Sequence, residues 1–349
     1  MVTVYFATNR NLIGTKANPD FGPTFNPDGP YAVRFGRAEV TGKKLDRYKI
    51  DLADEVLFTE EKQEQKLGSR EIYQQILHKM RKHSRDTLAY VHGFGFSFKE
   101  TLSYAAELKT CYSRNSLNVF VFSWPGDGEM VPFLSYYRDR DDAKASGAAI
   151  ARTFLKLRDF LVGKTPEEAC NQRLHLLAHS MGNYALRHAI QDIRSEIGNE
   201  IPRLFDNVFL VAADEDDDAL EHDHKMRLLP RMGRMVHLYF NPDDRALLIS
   251  NNTKGNPDRL GSDGPRLVDD LPRKVVLIDC KDVGYPGDDI QVHQYYRKSL
   301  EVIADINAVL AGQAPDQVEG RHYTHSSRSY RIVKSRVTEH GGTDARIPS

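Results

Sequence analysis

The chain has 349 residues, with 48 Lys and Arg against 49 Asp and Glu and a formal net charge of −1. That balance lacks the basic excess that attracts phosphate backbones and argues against a general nucleic-acid binder. A hydrophobic share of 40% and a charged share of 28% fit a folded globular chain, and no apolar run approaches the ~18 residues of a membrane helix.

The opening MVTVYFATNR has no basic segment followed by an apolar core and a small-residue cleavage site, so no secretory leader is expected. Apolar, β-branched runs then recur at 2–8, 31–40, 87–93, 118–124, 173–179, 207–213, 235–240 and 274–279. Several are apolar nearly throughout, the pattern of strands covered on both faces. The first two have no helix-like segment between them and read as an antiparallel edge. The stretch 14–30 is dense in Gly, Pro, Asn and Asp and reads as a long ordered loop.

Helical periods lie between the later strands. Ile72, Ile76 and Met80 are spaced by four, and Ser97 with Glu100 forms a capping box ahead of Leu102, Ala105 and Ala106. Ile150, Phe154, Leu157 and Leu161 form one stripe, and Leu300, Ile303, Ala304 and Leu310 another, both read as core faces. From residue 87 strands and helices alternate, including a helix between the strands at 207–213 and 235–240. That order predicts an α/β fold with a mainly parallel, doubly wound sheet and helices on both faces. Residues 1–310 read as one domain and 311–349 as a loosely ordered tail, in preference to a strand from SYRIVKSRV. Cys111, Cys170 and Cys280 are widely spaced and form no C-x-x-C pair, so free thiols in a reducing cytoplasm are expected.

The strongest chemical signal is LHLLAHSMGN at 174–183, an apolar strand running into Ala178-His179-Ser180-Met181-Gly182 and then a helical segment. This is a G-x-S-x-G nucleophile elbow with Ala for the first Gly. Small residues are needed on either side because strand and helix must pass closely while the serine occupies a strained turn. The helix start also presents N–H groups and a positive dipole end beside the serine oxygen. An earlier strand delivers His92-Gly93-Phe94-Gly95 into a turn. In such folds that loop and the residue after the nucleophile supply the two oxyanion N–H groups, here the amides of Phe94 and Met181. His92 is expected to hold the loop by hydrogen bonding.

A triad in the order Ser, Asp, His needs an acid and a base further on. His293 follows the last strand in a long loop and precedes a helix, which suits a base. Three acids follow strands at the same edge: Asp214, Asp243 and Asp244. The last two lie in the commoner place, and neighbours in a turn point apart, so only one of them reaches the imidazole. DEDDD at 214–218 reads as a solvated acidic turn rather than a cation site, and His222 and His224 as surface residues. Trp124 reads equally as pocket wall or core. Neither a metal nor a cofactor is expected.

Taken together, VYFATNR, FGRAEV, VHGFGFSF, VFSWPGDG, AHSMGN, LVAADED, YFNPDDRALLIS, the RLG at 259–261 and VLID…HQYY resemble, in order, a bacterial α/β-hydrolase family long catalogued as a domain of unknown function. The resemblance covers about residues 2–310. It departs at Phe94-Gly95, where a more polar pair is common, and at Ala-Ala-Asp 212–214, where Ala-Pro-Asp is usual. It implies a triad of Ser180, Asp244 and His293, and its Asp-x-Ala-Leu match selects Asp244 over Asp243. The expected function is a cytoplasmic serine hydrolase of small carboxylic esters, with amides and thioesters open to the same groups. The alternative is a hydrolase-fold binding or scaffold protein without catalysis, which has little reason to keep Ser, Asp and His together.

Overall fold

The computed structural model of the protein describes residues 1–15, 17–53, 67–112, 116–126, 134–247, 258–285 and 292–333. An eleven-stranded sheet organises them. With strands numbered in chain order, it runs from one edge to the other as β12 (Arg321–Thr324), β13 (Ser329–Ile332), β11 (Val275–Asp279), β10 (Gly233–Phe240), β9 (Phe205–Val211), β8 (Leu174–His179), β6 (Thr87–Val91), β7 (Asn118–Ser123), β1 (Val2–Thr8), β4 (Arg34–Thr41) and β5 (Arg47–Leu52). Pairing is parallel from β13 through β1. The edges close antiparallel, through β12 on one side and β4 and β5 on the other. The mainly parallel α/β architecture and the antiparallel N-terminal edge are those the sequence predicts.

Apolar runs are buried on both sides because helices cover both faces. Phe120, Phe122, Leu176 and Ala178 face α1 (Gly68–His83), α4 (Gly147–Val162) and α5 (Met181–Ile197). Alternate residues Val119, Val121 and Leu177 face α2 (Phe98–Cys111) and the helix Leu300–Leu310. The Ser97 capping box is formed in both directions at the start of α2. The remaining long helix, α3 (Leu134–Ala145), lies against α5. No helix among the described residues is long and apolar enough to cross a membrane.

Four expectations need correction. The stretch 14–30 is not all loop: β2 (Arg10–Thr15) and β3 (Asn18–Phe25) pair antiparallel in a separate two-stranded ribbon. Pro19 and Pro23 are tolerated in it because such a ribbon has two edges, where a missing N–H costs no ladder bond. The C-terminal residues are not loose over 321–332, where β12 and β13 form a hairpin and β13 extends the sheet beside β11. Residues 334–349 lie outside the described residues. Between β9 and β10 the chain makes turns and a short 3-10 helix, Leu229–Met232, opened by Pro230, instead of a full helix. The core face of the helix Leu300–Leu310 is Val302, Ile306, Val309 and Leu310, while Leu300 is 79% exposed. Ser299 caps that helix by accepting from the Val302 amide, which makes Leu300 its first residue and turns it to solvent.

The C-terminal hairpin is fastened by a buried charge. The Arg321 guanidinium donates to both Asp305 oxygens at 2.6 and 2.8 Å, and the Tyr239 hydroxyl donates to the same carboxylate at 2.6 Å. Removing the cation leaves Asp305 buried without its charge partner, a change that costs about 3–5 kcal/mol. Arg321→Ala should therefore lower the unfolding free energy by about 3 kcal/mol or more in urea titration, with Arg321→Lys recovering part of it.

Candidate active site

The carboxyl ends of the parallel strands form one edge, where ligands bind in open α/β sheets. β8 ends there at His179, and Ser180 follows at φ 53°, ψ −127°, before α5 begins at Met181. A positive φ is strained for any residue but glycine and persists only where surroundings enforce it. The enforcement is visible. A Cβ on Gly182 would come within 2.5 Å of the Val91 carbonyl oxygen and 2.6 Å of that of His92, and one on Gly93 within 2.9 Å of the Ser180 Cβ. Asn183 locks the turn by donating to the carbonyls of Ala178 and Ser180 at 3.0 and 3.1 Å. Ser180 is buried except for 6% of its surface.

The loop after β6 lies against this turn. His92 is buried, with Nδ1 2.8 Å from the Gly93 oxygen and Nε2 accepting from the Trp124 amide at 3.1 Å. The Trp124 indole N–H returns a hydrogen bond to the His92 carbonyl at 2.9 Å, and the two rings stack at 4.7 Å. Trp124 is thus core and not pocket wall. Gly95, at φ 73°, donates its N–H to Asp139 at 2.9 Å, which fixes the chain just after Phe94. The Phe94 ring packs on Tyr136. Arg10 braces the loop from behind: its guanidinium donates to the carbonyls of Phe96 and Gly126 at 2.6 and 2.7 Å.

Beyond β10, Asp244 is fully buried, and its Oδ1 accepts from the amides of Ala246 and Leu247 at 3.1 and 3.3 Å. Its Oδ2 lies 2.7 Å from Nδ1 of His293. The His293 carbonyl in turn stands 3.1 Å from Nε2 of His179, and the two imidazoles are 4.7 Å apart, so the imidazole lies beside the residue that precedes Ser180. Asp243 is exposed, and among the described residues no histidine pairs with it. Asp214 is buried, accepts from the Tyr136 hydroxyl at 2.6 Å and lies 3.6 Å from Nε of Arg259.

The acidic run 214–218 is therefore not a solvated turn. Asp216 binds Arg259 at 2.9 Å and Lys225 at 3.0 Å, Asp218 also binds Lys225, and Glu215 lies 3.2 Å from Arg187. Burial raises the Glu215 carboxyl to about 7 against the pull of Arg187 and Arg140. The cations come from residues distant in sequence, which is why the run looks solvated when read alone. Among the described residues no group of three or more His, Cys, Asp or Glu side chains could hold a metal ion. His222 pairs with Asp218 at 3.2 Å and His224 is exposed.

Two residues that sequence reasoning passed over fix the chain just after His293. The Tyr295 hydroxyl donates to the Tyr239 carbonyl at 2.9 Å and accepts from the Ala212 amide at 3.0 Å. The Tyr296 hydroxyl meets that of Tyr90 at 3.1 Å, while its carbonyl accepts from Tyr112 at 2.6 Å. Both rings are fully buried. The available signal was a pair of tyrosines directly after His293-Gln294, where a polar loop would not need them. Val292, before His293, is at φ 44°, an outlier for a β-branched residue.

A family model described as alpha/beta hydrolase of unknown function (DUF900) matches residues 69–311. The chain belongs to that family. No curated protein matches the sequence. Among solved structures, phospholipase PlaB from Legionella pneumophila in complex with thio-NAD is similar at 16% identity and a TM-score of 0.25, over 60% of this chain and 41% of that one. A second PlaB structure gives 14% identity and a TM-score of 0.25, over 61% and 42%. This chain thus spans about two fifths of their length.

Burial keeps the site's inner histidines neutral. It pushes His92 down to about 3 and His179 well below the ordinary 6.5, helped by Arg10 in the first case and by His293 in the second. In the unfolded chain each takes up a proton near 6.5, so their stabilisation is complete above that pH and is lost as pH falls toward the folded value. Unfolding free energy should fall between pH 6.5 and 4, by up to about 1.4 kcal/mol per pH unit for each such histidine. Urea melts of His92→Gln across that range should show a slope shallower by one proton; an unchanged slope would mean His92 is protonated in the fold.

Proposed function

We propose that the protein is a serine hydrolase of small carboxylic esters. The observation that carries this reading is the 2.7 Å contact of His293 Nδ1 with buried Asp244, made by an imidazole that packs on His179, the residue before a serine held at φ 53° on a strand-to-helix turn. Ser180 Oγ attacks the ester carbonyl as His293 Nε2 takes its proton. The tetrahedral oxyanion is met by the amides of Phe94 and Met181. His293 then passes the proton to the leaving alkoxide, and the acyl-serine forms as the alcohol departs. Water, deprotonated by the same imidazole, releases the acid and restores the serine.

Asp244 keeps the imidazole in the tautomer with its proton on Nδ1 and steadies the imidazolium. The other two acids have different work: Asp214 is engaged by Tyr136 and Arg259, and Asp243 stands in solvent. Amides and thioesters differ only in the leaving group and fall within reach of the same residues. The scheme calls on no cofactor, and a cytoplasmic setting suits the free thiols of Cys111, Cys170 and Cys280.

Asp244→Asn should lower turnover of an activated ester by about four powers of ten, through the wrong histidine tautomer. Asp243→Asn should stay near wild type. If Asp243→Asn or Asp214→Asn collapses while folded Asp244→Asn stays active, the acid is misassigned.

A further inference from the structure

A cavity of about 510 Å³ lies away from Ser180, at the opposite edge of the sheet. Its floor is made where strands begin, at Thr87 of β6, Leu174 of β8 and Phe205 of β9, whereas Ser180 and Asp244 follow strand ends. The walls are apolar, with Ile76 and Met80 from α1 and Phe154 and Leu157 from α4. The Tyr73 hydroxyl donates to the Thr153 carbonyl at 2.8 Å and ties the two helices together beside it. Tyr73, Ile76, Met80 and Phe154 are each no more than 6% exposed, so the lining is recessed and admits a thin chain rather than a flat protein surface.

Beside Thr87, Thr153, Gln172 and His175, the charged side chains of the lining are mostly cationic: Lys164, Arg173, Arg203 and Arg234 against Asp206. Three of the cations are already matched, Lys164 by Glu168 at 3.4 Å, Arg173 by Asp86 at 2.9 Å and Arg234 by Asp206 at 2.5 Å. Arg203 is exposed and has no carboxylate partner among the described residues. Its field is felt nearby, where burial, then Arg203 and Arg231, hold the Lys274 ammonium below its ordinary value. A recessed apolar slot with one uncompensated cation at its rim matches one unbranched chain ending in one negative charge.

We propose that this cavity binds a long-chain fatty acid, its chain between α1 and α4 and its carboxylate on Arg203. The site is distinct from the elbow, and the inference stands whether or not Ser180 is catalytic.

Palmitate, kept below its micelle concentration, can be titrated by calorimetry into the full chain carrying Ser180→Ala. One saturable site per chain is expected. Arg203→Glu, a change on the exposed rim, should weaken binding by about tenfold or more, the effect of about 1.4 kcal/mol. Leu157→Trp should abolish it by filling the slot, with circular dichroism checking the fold, and hexadecanol should bind more weakly than palmitate. The proposal is overturned if palmitate does not bind, if binding survives Arg203→Glu unchanged, or if a bulky phosphonate on wild-type Ser180 blocks it, which would place the acid at the elbow. Because Arg203 is exposed, its variant decides the matter even where Leu157→Trp fails to fold.

Discussion

The close approach of α5 to the end of β6 constrains everything at the carboxyl edge. Gly182 lies so near the Val91 and His92 carbonyls that any side chain there would collide with backbone. That approach forces the turn at Ser180 into φ 53°, and the turn lifts the serine to the edge with the first amides of α5 beside it. Strain of this kind costs of order 1–3 kcal/mol at each residue. The surrounding sheet, buried on both faces, supplies the rigidity to hold it.

The same logic extends to the surroundings of His293. Val292 at φ 44° and Ala212 at φ 45° are further non-glycine residues in the left-handed region, and both belong to the His293 neighbourhood. Tyr295, two residues along the chain from His293, ties this segment to the strand ends, since its hydroxyl receives the Ala212 amide and donates to the Tyr239 carbonyl. The chain just after His293 is thus held by a buried phenol. On the far side of the elbow, the Asp214 amide donates to the Ser180 carbonyl at 3.2 Å, which links the Ser180 turn to the buried ion-pair cluster around Arg259.

The sequence was most legible where one residue pattern has one physical cause. Contiguous apolar runs located the parallel strands because burial on both faces leaves no alternation. The elbow and the Ser97 cap were visible because small or capping residues are demanded by local geometry. The rest depended on partners far along the chain. DEDDD reads as solvated until Arg187, Lys225 and Arg259 are placed beside it. The hairpin at 321–332 reads as tail because what fixes it is Arg321 on Asp305, a pairing no local window contains. The ribbon at 10–25 was hidden by prolines and glycines that normally mark loops. Leu300 was misplaced because a stripe of apolar residues does not reveal where Ser299 starts the helix.

The most direct test of the account is covalent labelling at the elbow. Treated with a fluorophosphonate, the intact protein should gain the mass of one adduct, and peptide mapping should place it on Ser180. The gain should vanish in Ser180→Ala and slow sharply in His293→Ala, with both variants folded. A folded wild-type protein that takes no adduct, or takes it on another residue while hydrolysing an activated ester, would contradict the assignment of Ser180 as nucleophile.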